Sequence, residues 1–197
     1  MLYNRERRKF TAEEYLWLDE KSPIKSEFCD GEIFARSGGT LDHARILRNL
    51  LGYLDAALQG TRCEVFPSDL RLHVERFQLY TYPDIMVICG KAKLLKGRKD
   101  TVTDATLLIE VLSESTQAYD RTEKFQFYKG LPSFADYLLV HQNRICVEQG
   151  HRQGPNQWLM SEHADIEQEL VLASIDTRLP IHAIYRGVKP TRISERR

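Results

Sequence analysis

Two carboxylates interrupt apolar stretches that otherwise read as core strands. Asp84 lies in Tyr-Thr-Tyr-Pro-Asp-Ile-Met-Val-Ile, and Glu110 lies in Thr-Leu-Leu-Ile-Glu-Val-Leu. An ionised carboxylate moved into an apolar interior is costly unless a partner or a metal compensates it. Two of them on successive strands call for a shared counter-charge. If the strands are neighbours, a hard divalent cation serves both, since Mg²⁺ takes one or two carboxylates together with waters and phosphate oxygens. The competing reading puts each acid at a strand end facing solvent. Pro83 suits a strand start, so that reading has force at Asp84. It is weaker at Glu110, which has apolar residues on both sides.

A cation and three further polar residues join the candidates. Asp120 as N-cap, with Glu123 three residues later, predicts a helix over 120–128. That helix carries Lys124 back over the carboxyl end of the strand bearing Glu110. There an ammonium can hold a water or stabilise charge developing on a phosphorane; a solvent-facing lysine is the alternative. His43, in Leu-Asp-His-Ala-Arg, stands near the start of the longest helix as a phosphate contact or a plain helix-start residue. Glu27 and Asp69 are further acids, each equally readable as an arginine's ion-pair partner, with Arg71 two places from Asp69.

Other chemistries lack their signatures. There is no GxGxxG, no P-loop and no HExxH. No nucleophile elbow surrounds Ser113 or Ser115, and Trp17 and Trp158 are too far apart in sequence to claim a base-stacking platform. The 197 residues are 42% hydrophobic, with 28 Lys+Arg against 28 Asp+Glu. That balance argues against disorder and lacks the footprint of a strongly basic nucleic-acid-binding domain. Basic clusters at Lys91, Lys93, Lys96, Arg98 and Lys99 and at Arg186, Lys189, Arg192, Arg196 and Arg197 read first as a solvated loop and tail. No apolar run approaches the roughly 20 residues of a membrane span, and no apolar stretch follows the basic N-terminus, so a cytoplasmic location is expected. Cys29, Cys63, Cys89 and Cys146 form no CxxC pair. Reduced, buried thiols are the expectation.

The elements that position these residues follow from periodicity and turn signals. Thr11 and Glu14 have capping-box spacing for a helix over 11–20. Asp30-Gly31 turns a hairpin over 25–37. Leucines and Ile46 recur at helical spacing over 41–58, with Gly60 just beyond. Strands are expected at 63–66, 70–74, 82–88, 106–112, 135–140 and 144–149, with a polar loop over 90–104. Shorter strands and a helical turn at 182–185 complete the chain. The order gives an α/β (α+β) sheet with helices packed on it. No linker or repeat interrupts 10–186, so one domain is expected there, with 1–9 and 187–197 as tails.

Six segments in order now carry a resemblance: Phe-Cys-Asp-Gly-Glu-Ile (28–33), Asp-His-Ala-Arg-Ile (42–46), Pro-Ser-Asp-Leu-Arg-Leu (67–72), Tyr-Pro-Asp-Ile-Met-Val-Ile (82–88), Leu-Ile-Glu-Val-Leu-Ser-Glu-Ser-Thr (108–116) and Tyr-Asp-Arg-Thr-Glu-Lys-Phe (119–125). Together they closely resemble the Uma-two family of restriction-endonuclease-like proteins, within the PD-(D/E)XK nuclease superfamily. The resemblance implies a mixed sheet flanked by helices, here with an added N-terminal helix and β-hairpin and short C-terminal strands. It implies Asp84 and Glu110 as catalytic acids and metal ligands, with the Val111 backbone carbonyl as a further contact to Mg²⁺ or Mn²⁺. The superfamily expects Lys two residues after the second acid, where this chain has Leu112; Lys124 matches the helix lysine that replaces it. The implied activity is metal-dependent hydrolysis of DNA phosphodiesters, with His43 and Glu27 near the site; Asp69 is kept as a further candidate, and a homodimer is expected for cutting two strands. A non-catalytic nucleic-acid-binding or regulatory module on the same fold is the alternative, and a small-molecule metalloenzyme is a third reading.

Overall fold

Thr11 starts the first helix as a reciprocal cap. In the computed structural model, which describes residues 8–36 and 38–190, its side chain accepts from the Glu14 N–H while the Glu14 carboxylate accepts from the Thr11 N–H, starting α1 (Ala12–Lys21). The hairpin of β1 (Ser26–Cys29) and β2 (Glu32–Ala35) turns at Asp30 and Gly31, both at positive φ (42° and 91°). Asp-Gly tolerates that conformation, which matches the twist of the flanking strands. Helix α2 (Leu41–Leu58) is capped by Thr40, whose side chain accepts from the His43 N–H. Its apolar stripe buries Ile46, Leu50, Leu54 and Leu58.

Strands β3 (Cys63–Pro67) and β4 (Arg71–Val74) follow as expected. The strand expected over 82–88 begins only at Ile85. Ile85–Cys89 forms β6, and Leu79–Thr81 just ahead of it forms an unexpected strand, β5, in a different sheet. Pro83 explains the break: proline has no N–H to donate to a ladder and holds φ fixed. The chain changes sheets at Tyr82-Pro83-Asp84, and Asp84 therefore sits at a corner. The loop expected over 90–104 contains a short strand, β7 (Thr101–Val102), which pairs in parallel with β4.

Next come β8 (Leu107–Leu112), then a helical stretch of three abutting segments: α3 (Gln117–Tyr119), one π turn (Asp120–Lys124) and α4 (Phe125–Tyr128). Asp120 is not the N-cap that its spacing suggested. Its backbone is already helical, at φ −62° and ψ −38°, because the Ser113 carbonyl accepts from the Gln117 N–H and starts the winding a turn earlier. The remainder is β9 (Asp136–His141), β10 (Val147–Gly154), β11 (Gln157–His163), β12 (Glu169–Leu172), β13 (Thr177–Pro180) and α5 (Ile181–Ile184). β10 runs further than the 144–149 expected.

The central sheet has the order β11-β10-β9-β8-β6-β3, and its pairings are antiparallel except β8 with β9. A second sheet, β2-β1-β5-β4-β7, carries the hairpin. Alternation along the central strands sorts two cores. Ile85, Val87, Ile109 and Val111 face α2 and α5, while Met86, Leu108, Leu112 and Tyr137 face Phe125, Tyr128 and Phe134. Both faces being covered, β8 reads as a near-continuous apolar run.

The cysteines correct a second expectation. Cys63 and Cys89 face each other in the β3–β6 register and are joined by a disulfide, leaving Cys29 and Cys146 free. Directly paired strand positions bring the two sulfurs within reach, which scattered spacing along the chain cannot reveal. Of the basic clusters, Arg98 is ion-paired with Glu20 and Asp100, and Arg192, Arg196 and Arg197 lie outside the described residues. Among the described residues no helix is long and apolar enough to cross a membrane.

Candidate active site

The β6–β8 register sets the geometry. Ile85 pairs with Ile109, so one step further along the antiparallel ladder Asp84 stands opposite Glu110. Both side chains belong to the face that carries Met86 and Leu108. Asp84 is 6% exposed and Glu110 3% exposed, and both line a cavity of about 450 Å³. The solvent-facing alternative is thereby removed for both acids.

Each carboxylate is held by a different set of donors. For Asp84, Oδ2 accepts from the Val111 N–H at 2.9 Å and lies 3.3 Å from His43 Nε2, while Arg36 Nη2 donates to Oδ1 at 3.0 Å. Glu110 Oε1 accepts from the Tyr128 hydroxyl at 2.7 Å and pairs with Lys124 Nζ at 3.0 Å. Among the described residues Glu110 Oε2 receives only a long 3.4 Å contact from the Asp84 N–H. Lys124, 4% exposed, also lies 3.5 Å from Glu27 Oε1 and 3.6 Å from Asp120 Oδ1.

These surroundings drive the two acids apart. Burial pushes Asp84 upward, but the His43 contact, the Val111 N–H and the Arg36 charge outweigh it and hold Asp84 below the usual carboxylate value. Burial dominates at Glu110, pushing it up to about 8 against the pull of Lys124. Asp120 is likewise raised, mainly by burial, with Lys124 opposing. Burial lowers Lys124, yet Glu110, Glu27 and Asp120 together lift it well above an ordinary lysine. Four buried acids, Glu27, Asp84, Glu110 and Asp120, thus share the side chains of Lys124 and Arg36.

Of the residues singled out in the sequence, the fold gathers Glu27, His43, Asp84, Glu110, Val111 and Lys124 around one cavity. Glu27 comes from β1, where the Thr81 hydroxyl donates to Oε1 at 2.7 Å. Val111 contributes its N–H to Asp84. Asp69 lies apart: its side chain is 86% exposed and ion-paired with Lys25, while Arg71 turns instead to Asp19 and Asp100. Asp69 sits in the turn between β3 and β4, which points its side chain to solvent.

Three residues of the cavity region had no assigned role. Arg36 leaves the hairpin after β2, and nothing in its sequence marks it as facing acids 48 residues away. Asp120 was read as a cap, though its i,i+4 spacing to Lys124 already offered an ion pair. Tyr128, fully buried, stands one turn beyond Lys124, and that spacing was the available signal.

The ligand atoms that Asp84 and Glu110 themselves offer are carboxylate oxygens, the chemistry that Mg²⁺ and Mn²⁺ prefer. Among the described residues no group of three or more His, Cys, Asp or Glu side chains converges for a metal. Two carboxylates with waters and phosphate oxygens remain a sufficient set for Mg²⁺, which rarely occupies an all-protein cage.

This mixed α+β fold is found elsewhere. A crystal structure described as a putative nuclease belonging to DUF820, from Anabaena variabilis, superposes with a TM-score of 0.76 at 16% identity, over 91% of this chain and 99% of that one. The sequence matches the Uma2 family, described as "Putative restriction endonuclease", over residues 12–180, and the chain belongs to that family. Two proteins of Synechocystis sp. are similar. Uncharacterized protein sll1609 is 38% identical over 161 residues, covering 80% of this chain and 91% of its own. Uncharacterized protein slr1290 is 36% identical over 182 residues, covering 91% and 93%.

Proposed function

We propose that this chain is a metal-dependent endonuclease that hydrolyses DNA phosphodiester bonds. The observation that carries the reading is the opposition of Asp84 and Glu110 across β6 and β8, with Lys124 beside Glu110 in one cavity. Asp84 and Glu110 would hold Mg²⁺ or Mn²⁺, with the Val111 carbonyl as a further contact. When bound, such an ion lowers the pKa of a coordinated water and polarises a phosphoryl oxygen. Lys124, kept charged by three acids, would orient the attacking water or neutralise charge at the phosphate. His43 holds Asp84 ionised from the other side, and Glu27 fixes Lys124. A homodimer would present two such sites to the two strands of a duplex.

A second reading has one observation behind it. Leu112 occupies the strand position where the superfamily carries lysine, and its side chain is packed in the core. A non-catalytic nucleic-acid-binding or regulatory module would keep the fold with the strand lysine gone. Incubating labelled single-stranded DNA, duplex DNA and RNA with Mg²⁺, Mn²⁺ or EDTA separates the readings. The endonuclease cuts internally and only with metal; the module binds without cutting.

A further inference from the structure

Arg36 reaches across from the end of β2 to Asp84 Oδ1, which faces no other donor among the described residues. Oδ2 is committed to the Val111 N–H and faces His43, so Oδ1 is the oxygen left for a cation, and Arg36 Nη2 holds it at 3.0 Å. The same guanidinium lies 3.9 Å, through Nε, from Glu27 Oε1. At Glu110, Oε1 is taken by Tyr128 and Lys124, while among the described residues Oε2 has only the long contact from the Asp84 N–H. An ion held by the two acids would compete with Arg36 for Asp84 Oδ1.

Two cations do not share one carboxylate oxygen in a low-dielectric pocket without strong repulsion. Arg36 has somewhere to go. Its side chain is 24% exposed, it lines the cavity together with Gly38 and Gly39, and nothing stands within 4 Å of where a Gly38 Cβ would be. A guanidinium released from Asp84 into that cavity presents a planar fork, which fits two oxygens of a phosphodiester. Lys124, locked among Glu27, Glu110 and Asp120, has no comparable freedom.

We propose that Arg36 is a resident counter-cation of Asp84 that a divalent ion displaces, so that metal loading frees the guanidinium to hold substrate phosphate. This rests on the nuclease reading of the site and adds a coupling between its two occupants. Removing the arginine should then make the ion bind more tightly, whereas a residue that helps hold metal would weaken binding when lost.

The test is Mn²⁺ affinity, read by calorimetry and by the EPR signal of free Mn²⁺, without nucleic acid. The proteins are the full-length wild type, Arg36→Met, Arg36→Lys, Asp84→Asn and, as an off-site control, Arg45→Met. Arg45 pairs with Asp42 outside the cavity. The expected result is Mn²⁺ binding roughly tenfold tighter in Arg36→Met, within the usual range of coupled sites. Arg36→Lys should stay near the wild type and Arg45→Met should equal it. Binding by Arg36→Met alone would support the same conclusion. Equal or weaker binding in Arg36→Met, with the wild type binding and Asp84→Asn not, overturns the displacement and leaves the metal site standing. No binding by any protein overturns both. Should Arg36→Met fail to fold, the Arg36 Nε–Hε resonance of the wild type decides under Mg²⁺ titration. A shift that saturates with the ion supports displacement, and an unmoved signal while Mg²⁺ binds overturns it.

Discussion

Lys124 Nζ stands 3.0 Å from Glu110 Oε1, and it arrives from the helical stretch after β8 instead of from the strand that carries the acid. Leu112, two residues after Glu110, points to the same face but packs among Met86, Leu108 and Phe134. The π turn over Asp120–Lys124 brings the amine over the strand. The charge is thus supplied by a different element, and the strand position is free to be core.

That arrangement predicts unequal costs for the two partners. Lys124→Met leaves Glu27, Asp120 and Glu110 without their shared cation and should destabilise the protein by about 3–5 kcal/mol. Glu110 already sits near 8, so Glu110→Gln imitates a form that is well populated at neutral pH and should cost far less. The double variant should be less destabilised than the sum, with a coupling of about 1–3 kcal/mol. Urea unfolding at pH 7 of the four proteins checks this; strict additivity would contradict the pairing.

The Cys63–Cys89 disulfide closes a sequence separation of 26 residues. Cys63→Ser with Cys89→Ser should lower stability by about 3 kcal/mol under oxidising conditions, and reductant should lower the wild type to the same level. Thiol titration of the unfolded chain should count two free thiols without reductant and four with it. Four thiols before reduction would contradict the disulfide.

His73 sets a pH dependence away from the cavity. It is buried on β4, its ring is stacked on Tyr80 with centroids 4.2 Å apart, and neither ring nitrogen has a partner among the described residues. Burial holds it below the ordinary 6.5, with Glu75 opposing weakly. The unfolded chain therefore takes up this proton first as pH falls. The His73 contribution is lost below about pH 6.5, where the unfolded state binds more of this proton, while Glu110, raised by burial, acts in the opposite sense over the same range. His73→Phe should therefore raise the urea midpoint at pH 5 relative to that at pH 7. Part of the loss should persist through His141, which burial also lowers. An unchanged difference between the two midpoints in the variant would assign the loss elsewhere.

α1 is tied to the second sheet by a buried charge network. Asp19 Oδ2 accepts from Arg71 Nη2 at 2.7 Å and from the Tyr82 hydroxyl at 2.5 Å. Asp19→Ala leaves the Arg71 guanidinium, 3% exposed, with Asp100 as its remaining acid partner and should cost about 3 kcal/mol. A melting temperature within a degree of the wild type would show that the network contributes nothing.

Periodicity and turn chemistry made most elements legible. The capping box at Thr11 and Glu14, the Asp30-Gly31 hairpin and the apolar stripe of α2 are local patterns that tertiary structure had no reason to override. The acids within apolar runs at 84 and 110 pointed to the cavity that both of them line, because burial of charge is costly wherever the strands lie. What stayed hidden was non-local. Pro83 sits inside a run whose β-rich residues continue on both sides, so the change of sheet was invisible without the pairing. Arg36 and the Cys63–Cys89 bridge depend on distances across the fold that no spacing encodes. Asp120 misled because an acid three residues before a glutamate reads as a cap wherever it falls.

The central claim is that Asp84 and Glu110 act jointly on phosphodiester DNA through a divalent ion. Nicking of supercoiled plasmid in Mg²⁺ or Mn²⁺, with Asp84→Asn and Glu110→Gln proteins of matched stability beside the wild type, tests it most directly. The account predicts cleavage by the wild type, none in EDTA, and a loss on the order of a hundredfold or more in each variant. Equal cleavage by all three proteins, or none by a folded wild type that also fails to bind Mg²⁺, would contradict it.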